Sequence, residues 1–171
     1  MNKIHKSEAD KIRAAIITVD SRVLDGVKSD AGAQKARQIL DKSGYDVVRQ
    51  AIIGDLASPL RGEFDRALEA GARLIITIGS TGVSARNIAP ETTERLCDVQ
   101  LPGVAEQIRN EGLKNTPLAG LSRGLVGITS RTTRGAVIVN CPSSTGGVKD
   151  ALTVLLPLLP YIYEQMDQTE A

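Results

Sequence analysis

The sequence predicts an α/β fold: a single three-layer α/β/α domain built on a mostly parallel sheet with one antiparallel strand. Three observations carry this reading. Residues 13–19 (RAAIITV), 45–53 (YDVVRQAII) and 73–78 (RLIITI) are short β-branched runs. The first and third lack polar alternation, as strands buried on both faces of a parallel sheet do. The segments between them carry helical spacing. Two later runs, LVGI (125–128) and AVIVN (136–140), are joined by the polar turn TSRTTRG and so form a hairpin. With 171 residues, 42% of them hydrophobic, and no repeat, low-complexity tract or interdomain linker, the chain is expected to make one domain.

The elements follow in order. Residues 1–12 form a polar, charged stretch expected to be a flexible tail, with the domain spanning 13–165 and a short tail at 166–171. After the first strand, Asp30 is placed as a helix N-cap. Ala33, Ala36, Ile39 and Leu40 then share one face, and Gly44 closes the helix. Ser58 as N-cap and Pro59 at the first helical position open the next helix, with Leu60, Phe64 and Leu68 as its core stripe and Gly71 at its end. The first half therefore reads β-α-β-α-β with right-handed crossovers. Pro90 opens a short helix through Cys97, and Pro102 opens another through Glu111, each where a missing N–H does no harm. A last helix over 146–165 is expected to bend at Pro157 and Pro160.

Composition removes several function classes. Twenty-one Lys+Arg against 20 Asp+Glu leave a net charge of +1, so no whole-molecule field recruits nucleic acid or an anionic membrane. One Phe, three Tyr and no Trp are too few rings for a base-stacking platform. The single histidine, His5, lies in the tail, which excludes Ser-His-Asp triads, Cys-His pairs and His-bearing zinc sites from the core. Cys97 and Cys141 follow no metal-ligand spacing; they read as small core hydrophobes of a protein in a reducing, cytoplasmic compartment. The apolar stretch 152–163 is broken by two prolines and falls short of the ~20 residues a membrane helix needs. Any catalysis left to such a chain works through positioning, cations and fixed dipoles, the mode of phosphoryl and nucleotidyl transfer.

In open parallel sheets, ligands bind beyond the carboxyl ends of the strands, where successive crossovers diverge. That rule nominates Asp20-Ser21-Arg22, Gly54-Asp55 and Gly79-Ser80-Thr81-Gly82. Glycine allows close backbone approach in GSTG, its amides and hydroxyls can cradle phosphate, and Arg22 and Arg86 are charge partners. The same four residues serve equally as a tight turn ending a strand. Asp55 can hold a hydrated Mg²⁺ bridging phosphates, or it can satisfy local backbone N–H groups as loop aspartates do.

The stretches GSTGVSARNIAPETT (79–93), LPGVAEQIR (101–109) and LSRGLVG (121–127), with TVDSR (18–22), Asp30, Gly44, Asp55 and NCP (140–142), resemble the MoaB/Mog family of molybdenum cofactor biosynthesis. The resemblance runs from Arg13 to about Tyr161. It implies a three-layer α/β domain, usually trimeric, that binds molybdopterin. In Mog-type members it also implies transfer of AMP from ATP, with Mg²⁺, to the terminal phosphate of the pterin. Residue by residue, it assigns Gly79, Thr81 and Gly82 to the family's GGTG loop, and Ser122 and Arg123 to its LSR motif near pterin and phosphates. Asp55 matches an acid tied to magnesium and catalysis.

The departures bear on activity. The family's second acid lies in RDxTPE, where this chain reads RNIAPE and places Asn87 at the carboxylate's position. An amide removes one negative charge that helps hold Mg²⁺. Ser80 replaces a glycine of GGTG, Ala89 a threonine, Ser143 the glycine after Pro142, and DAGA the usual DxSG. Three functions follow as expectations: a weakened molybdopterin adenylyltransferase using Asp55 and Asn87, a pterin-binding member without transfer, or a trimeric protein-interaction module on the same fold.

Overall fold

The structure, a computed structural model, describes residues 11–168; His5 lies outside them. Six strands form one sheet: β1 (Arg13–Val19), β2 (Asp46–Ile53), β3 (Leu74–Ile78), β4 (Val99–Gln100), β5 (Val126–Ile128) and β6 (Val137–Cys141), in the order β2-β1-β3-β6-β5-β4. β1 pairs in parallel with β2 and β3, and β3 with β6, while β5 runs antiparallel to both β6 and β4. The expected α/β/α class, with one strand reversed in a mostly parallel sheet, holds.

Period-two alternation within the buried strands separates two cores. Ala14, Ile16, Leu74, Ile76, Val137 and Val139 face one layer, with Ala33, Ala36 and Leu40 of α2 (Ala31–Lys42) and Val148, Leu152 and Leu155 of α6 (Thr145–Leu155). Ala15, Ile17, Ile75 and Ile138 face the other, against Leu60, Phe64 and Ala67 of α3 (Ala57–Glu69) and Ala89 of α4 (Ala89–Glu94). Burial on both faces is what the apolar runs required. Cys141 is fully buried and Cys97 packs on the second core; burial pushes their thiols up to about 12 and, helped by the charge of Asp98, about 11. Among the described residues, no helix is long and apolar enough to cross a membrane.

Some element boundaries differ from expectation. α3 starts two residues earlier than Ser58 implies: Leu56 is its cap residue and no side chain caps it, so Ser58 is helical. The helix at Pro90 ends at Glu94, short of Cys97, whereas α5 runs from Pro102 to Leu113. The last helix is two, α6 and α7 (Leu159–Asp167). Pro157 cannot donate to the ladder, and Pro160 sits in the first turn of α7, where no donor is needed. The fold also continues past 165, because Met166 is buried and Asp167 pairs with Arg73 at 3.0 Å. Three elements carried no sequence signal of their own: α1 (Ser21–Leu24), the two-residue β4 and a 3₁₀ turn over Pro117–Leu121.

The topology sets the site. The chain leaves β1 through α2 to the sheet edge at β2, then returns through α3 to the far side of β1, so consecutive crossovers diverge at the carboxyl ends of β1 and β3.

Candidate functional site

Asp20, Ser21, Arg22, Asp55, Gly79, Ser80, Thr81, Gly82, Arg86, Asn87, Pro142 and Ser143 line one cavity of about 430 Å³ at this crevice. Four strand ends deliver them: β1, β2, β3 and β6 terminate immediately before Asp20, Gly54, Gly79 and Pro142.

The carboxylates divide into committed and available groups. Asp20 caps α1, accepting from the Arg22 amide at 2.9 Å, from the Arg22 guanidinium at 3.2 and 3.1 Å, and from Lys28 Nζ at 3.2 Å. Burial opposes its charge, but these hydrogen bonds prevail and hold its pKa at about 2. Asp55 Oδ2 accepts from the Ser21 amide at 3.1 Å and its hydroxyl at 2.9 Å, while Oδ1 has no partner among the described residues. Asp55 therefore clasps β1 to β2, as a loop aspartate does, and its Oδ1 has no protein partner among the described residues.

The loop after β3 is built for close approach. Gly79 has φ 96°, and a Cβ there would stand 2.6 Å from the Val19 carbonyl oxygen. The amides of Ser80, Thr81 and Gly82 donate to no other described residue. Ser80 adopts φ 58°, and its hydroxyl is not free: it accepts from the Ile88 amide at 2.8 Å and donates to the Arg86 carbonyl at 3.4 Å. This hydroxyl ties the GSTG turn to the 86–88 segment. The Asn87 side chain lies against Gly82, with Oδ1 2.5 Å from where a Cβ would be. The Arg86 guanidinium has no partner among the described residues.

Ser122 and Arg123 fall outside this cavity. Arg123 Nε donates to the Gly82 carbonyl at 2.7 Å, Nη2 to the Asn87 carbonyl at 3.0 Å and Nη1 to Glu91, while its amide donates to the Thr81 carbonyl at 2.8 Å. The hydrogen bond from Arg123 holds the Glu91 carboxyl below its ordinary value. This arginine is therefore a brace behind the phosphate-type loop. Ser122 lines a second, apolar cavity next door.

Two residues inside the motif stretches, Asn140 and Arg109, had no role assigned from the sequence. Buried Asn140 donates to Thr77 Oγ1 and Thr93 Oγ1, both at 2.9 Å, and accepts from the Leu125 amide at 3.2 Å, fastening β6 to β3, α4 and the start of β5. Arg109 donates to the Gly124 carbonyl at 3.0 Å. A polar residue at the end of an otherwise apolar strand was the available signal for Asn140. Among the described residues, no group of three or more His, Cys, Asp or Glu side chains gathers to hold a metal. A divalent cation here would share Asp55 with ligand phosphate oxygens, as magnesium commonly does.

A family model described as "Probable molybdopterin binding domain" matches residues 15–161. The chain belongs to this family. A molybdopterin adenylyltransferase from Helicobacter pylori is 28% identical over 155 residues, covering 88% of this chain and 85% of that protein. Molybdenum cofactor biosynthesis protein B from Halalkalibacterium halodurans is 30% identical over 168 residues, covering 95% of each. In structure, the molybdopterin biosynthesis enzyme MoaB from Thermus thermophilus superposes with a TM-score of 0.81 at 31% identity, over 91% of this chain and 96% of that one. The MoaB/Mog resemblance read from the GSTG, LSRG and NCP segments is thereby established, and the polar cavity is the candidate site of a MoaB/Mog-family domain.

Proposed function

We propose that this MoaB/Mog-family domain binds molybdopterin and ATP with Mg²⁺ at the polar cavity and transfers AMP slowly to the terminal phosphate of the pterin. The observation that carries the proposal is the convergence, on one cavity, of the free Ser80, Thr81 and Gly82 amides, the unpaired Arg86 guanidinium and the open oxygen of Asp55. A terminal phosphate oxygen attacks the α-phosphorus of ATP, the bond from that phosphorus to the bridging oxygen breaks, and pyrophosphate leaves. No protein nucleophile is needed, in keeping with a core that lacks histidine. The loop amides and Arg86 hold phosphate oxygens and offset the charge that grows on them. Asp55 would carry Mg²⁺, which neutralises the triphosphate when bound. Asn87 replaces an acid with an amide, and the rate falls because one charge on the magnesium side is missing.

The free Cys97 and Cys141 thiols support a reducing, cytoplasmic setting. The exposed Leu24, Val27 and Leu56, on the segments that follow cavity residues Arg22 and Asp55, support self-association into the family's trimer. A second reading, favoured by Asn87 specifically, is a pterin-binding member that does not transfer AMP. One assay separates them: adenylylated pterin and pyrophosphate are measured with molybdopterin and MgATP for the natural protein and Asn87→Asp, with pterin binding followed on the same samples. We expect slow product from the natural protein and at least about tenfold more from Asn87→Asp. Product from Asn87→Asp alone selects the binding-only reading, and absence of pterin binding in both rejects the two together.

A further inference from the structure

Among the described residues, Ser80 alone has a positive φ without being glycine. A glycine would adopt that backbone without strain. Strain of this kind persists where surrounding contacts over-determine it, and it clusters at functional sites. Here the contacts converge on one segment. The Ser80 hydroxyl accepts from the Ile88 amide at 2.8 Å and donates to the Arg86 carbonyl at 3.4 Å, and the Ser80 carbonyl accepts from the Ala89 amide at 3.2 Å. Residues 81–88 are neither helix nor strand, so no ladder of backbone hydrogen bonds sets where Arg86 stands. Ser84 turns the segment instead: its carbonyl accepts from the Asn87 amide at 2.9 Å and its hydroxyl from the Arg86 amide at 3.3 Å. Arg123 holds the Asn87 carbonyl from the far side at 3.0 Å. The backbone of Arg86 is thus held on both flanks, while its guanidinium lines the polar cavity with no partner among the described residues.

We infer that Ser80 is a positioning residue, whose hydroxyl fixes the backbone carrying Arg86 so that the guanidinium meets ligand phosphate from a settled place. The inference rests on the proposed function, which puts phosphate in the polar cavity. The hydroxyl does not touch the phosphate as a donor, because its proton is engaged by the Arg86 carbonyl. Its effect is on the ordering that binding would otherwise require. A loop arginine whose backbone is ordered only when the ligand arrives binds more weakly, by about tenfold for one residue ordered. With Ser80 in place that ordering is complete before the ligand enters, and the left-handed backbone at residue 80 is what aims the hydroxyl at both Arg86 and Ile88.

Titration calorimetry with inorganic pyrophosphate tests this on the natural protein, Ser80→Gly, Arg86→Gln and the double variant, with melting curves confirming that each is folded at the temperature used. We expect the natural protein to bind pyrophosphate and Ser80→Gly to bind it about tenfold more weakly, although glycine relaxes the backbone at this position. Arg86→Gln should weaken binding by a similar factor or more. Adding Ser80→Gly to Arg86→Gln should then change the affinity by less than about twofold, because the serine acts through the arginine. Hydrogen exchange at the Ile88 amide should quicken in Ser80→Gly while the β3 amides stay as protected as before. A serine that serves only the stability of the fold lowers the melting temperature and leaves the pyrophosphate affinity unchanged, and that result overturns the inference. So does an equal tenfold loss from Ser80→Gly with and without Arg86, since the serine would then act by another route. If the natural protein binds pyrophosphate and MgATP and either result is found, only the inference fails; a natural protein that binds neither removes the proposed function itself.

Discussion

The Ser80 hydroxyl, a phosphate-binding candidate by its place in the GSTG loop, is hydrogen-bonded within the chain. As the residue after Gly79 in a strand-ending turn it is legible as part of a phosphate-type loop, and its hydroxyl invites a ligand. The structure spends that hydroxyl on Ile88 and Arg86 while the backbone sits at φ 58°, a conformation costly for a residue with a Cβ. These two facts predict an order of stabilities. Ser80→Ala keeps the strain and leaves the Ile88 amide without its acceptor, a loss of about 1–2 kcal/mol. Ser80→Gly loses the same bond but relaxes the backbone, recovering about 1 kcal/mol. Denaturant midpoints should rank the natural protein first, Ser80→Gly next and Ser80→Ala last; an alanine variant as stable as the natural one shows that the hydroxyl is no clasp. Arg123 was similarly legible only as a cation near phosphates. Its commitments to Gly82, Asn87 and Glu91 span 32 to 41 residues of chain, and no local pattern announces contacts made across such distances.

Among elements, those with strong periodicity and caps were legible, and those whose ends depend on tertiary contact were not. Asp30 and Gly44 bound α2 as expected, because a side-chain cap and a left-handed glycine act locally. α3 begins before Ser58, without a side-chain cap, and β4 is two residues long with no periodicity to read. α2 is also tied across the sheet: Asp30 accepts from the Ala33 amide at 3.4 Å and from the buried Thr18 hydroxyl at 2.9 and 3.0 Å. Asp30→Ala therefore removes a cap worth about 1 kcal/mol and orphans a buried hydroxyl, for a combined cost of about 2–4 kcal/mol in unfolding free energy. Thr18→Val removes the orphan. The double variant should accordingly recover at least about 1 kcal/mol relative to the sum of the singles, a coupling that urea unfolding can read. Strict additivity shows that α2 and β1 are not joined through this pair.

Across the whole molecule the fold was legible because its core is simple: apolar strands alternating with amphipathic helices leave few topologies, and the crossover rule then places the cavity. The division of the crevice into a polar and an apolar chamber was not legible, since the wall of Thr81, Gly82 and Pro142 is assembled from segments about 60 residues apart in the sequence. The near-neutral composition hides a further whole-molecule property. Asp20, Glu63 and Glu91, in three separate regions, all have pKa values lowered in the fold, against ordinary values of 3.8 for Asp and 4.5 for Glu. For Glu63 the Arg49 hydrogen bond outweighs burial, and for Glu91 the Arg123 hydrogen bond does. A lowered carboxylate binds its proton more weakly folded than unfolded, so in acid the unfolded chain takes up more protons and gains. The stabilisation is fully present above about pH 4.5, begins to fall as pH drops through the ordinary carboxylate values, and is lost as it passes through the folded ones, down to about 2 for Asp20. Melting temperatures measured from pH 7 to pH 2 should hold steady and then fall steeply below about 4.5. Asp20→Asn should melt lower at neutral pH and show a shallower fall between 4 and 2, because it carries no proton-linked contribution there. A natural protein whose melting temperature stays level from pH 4.5 to pH 2 would mean that these three carboxylates do not distinguish the folded chain from the unfolded one.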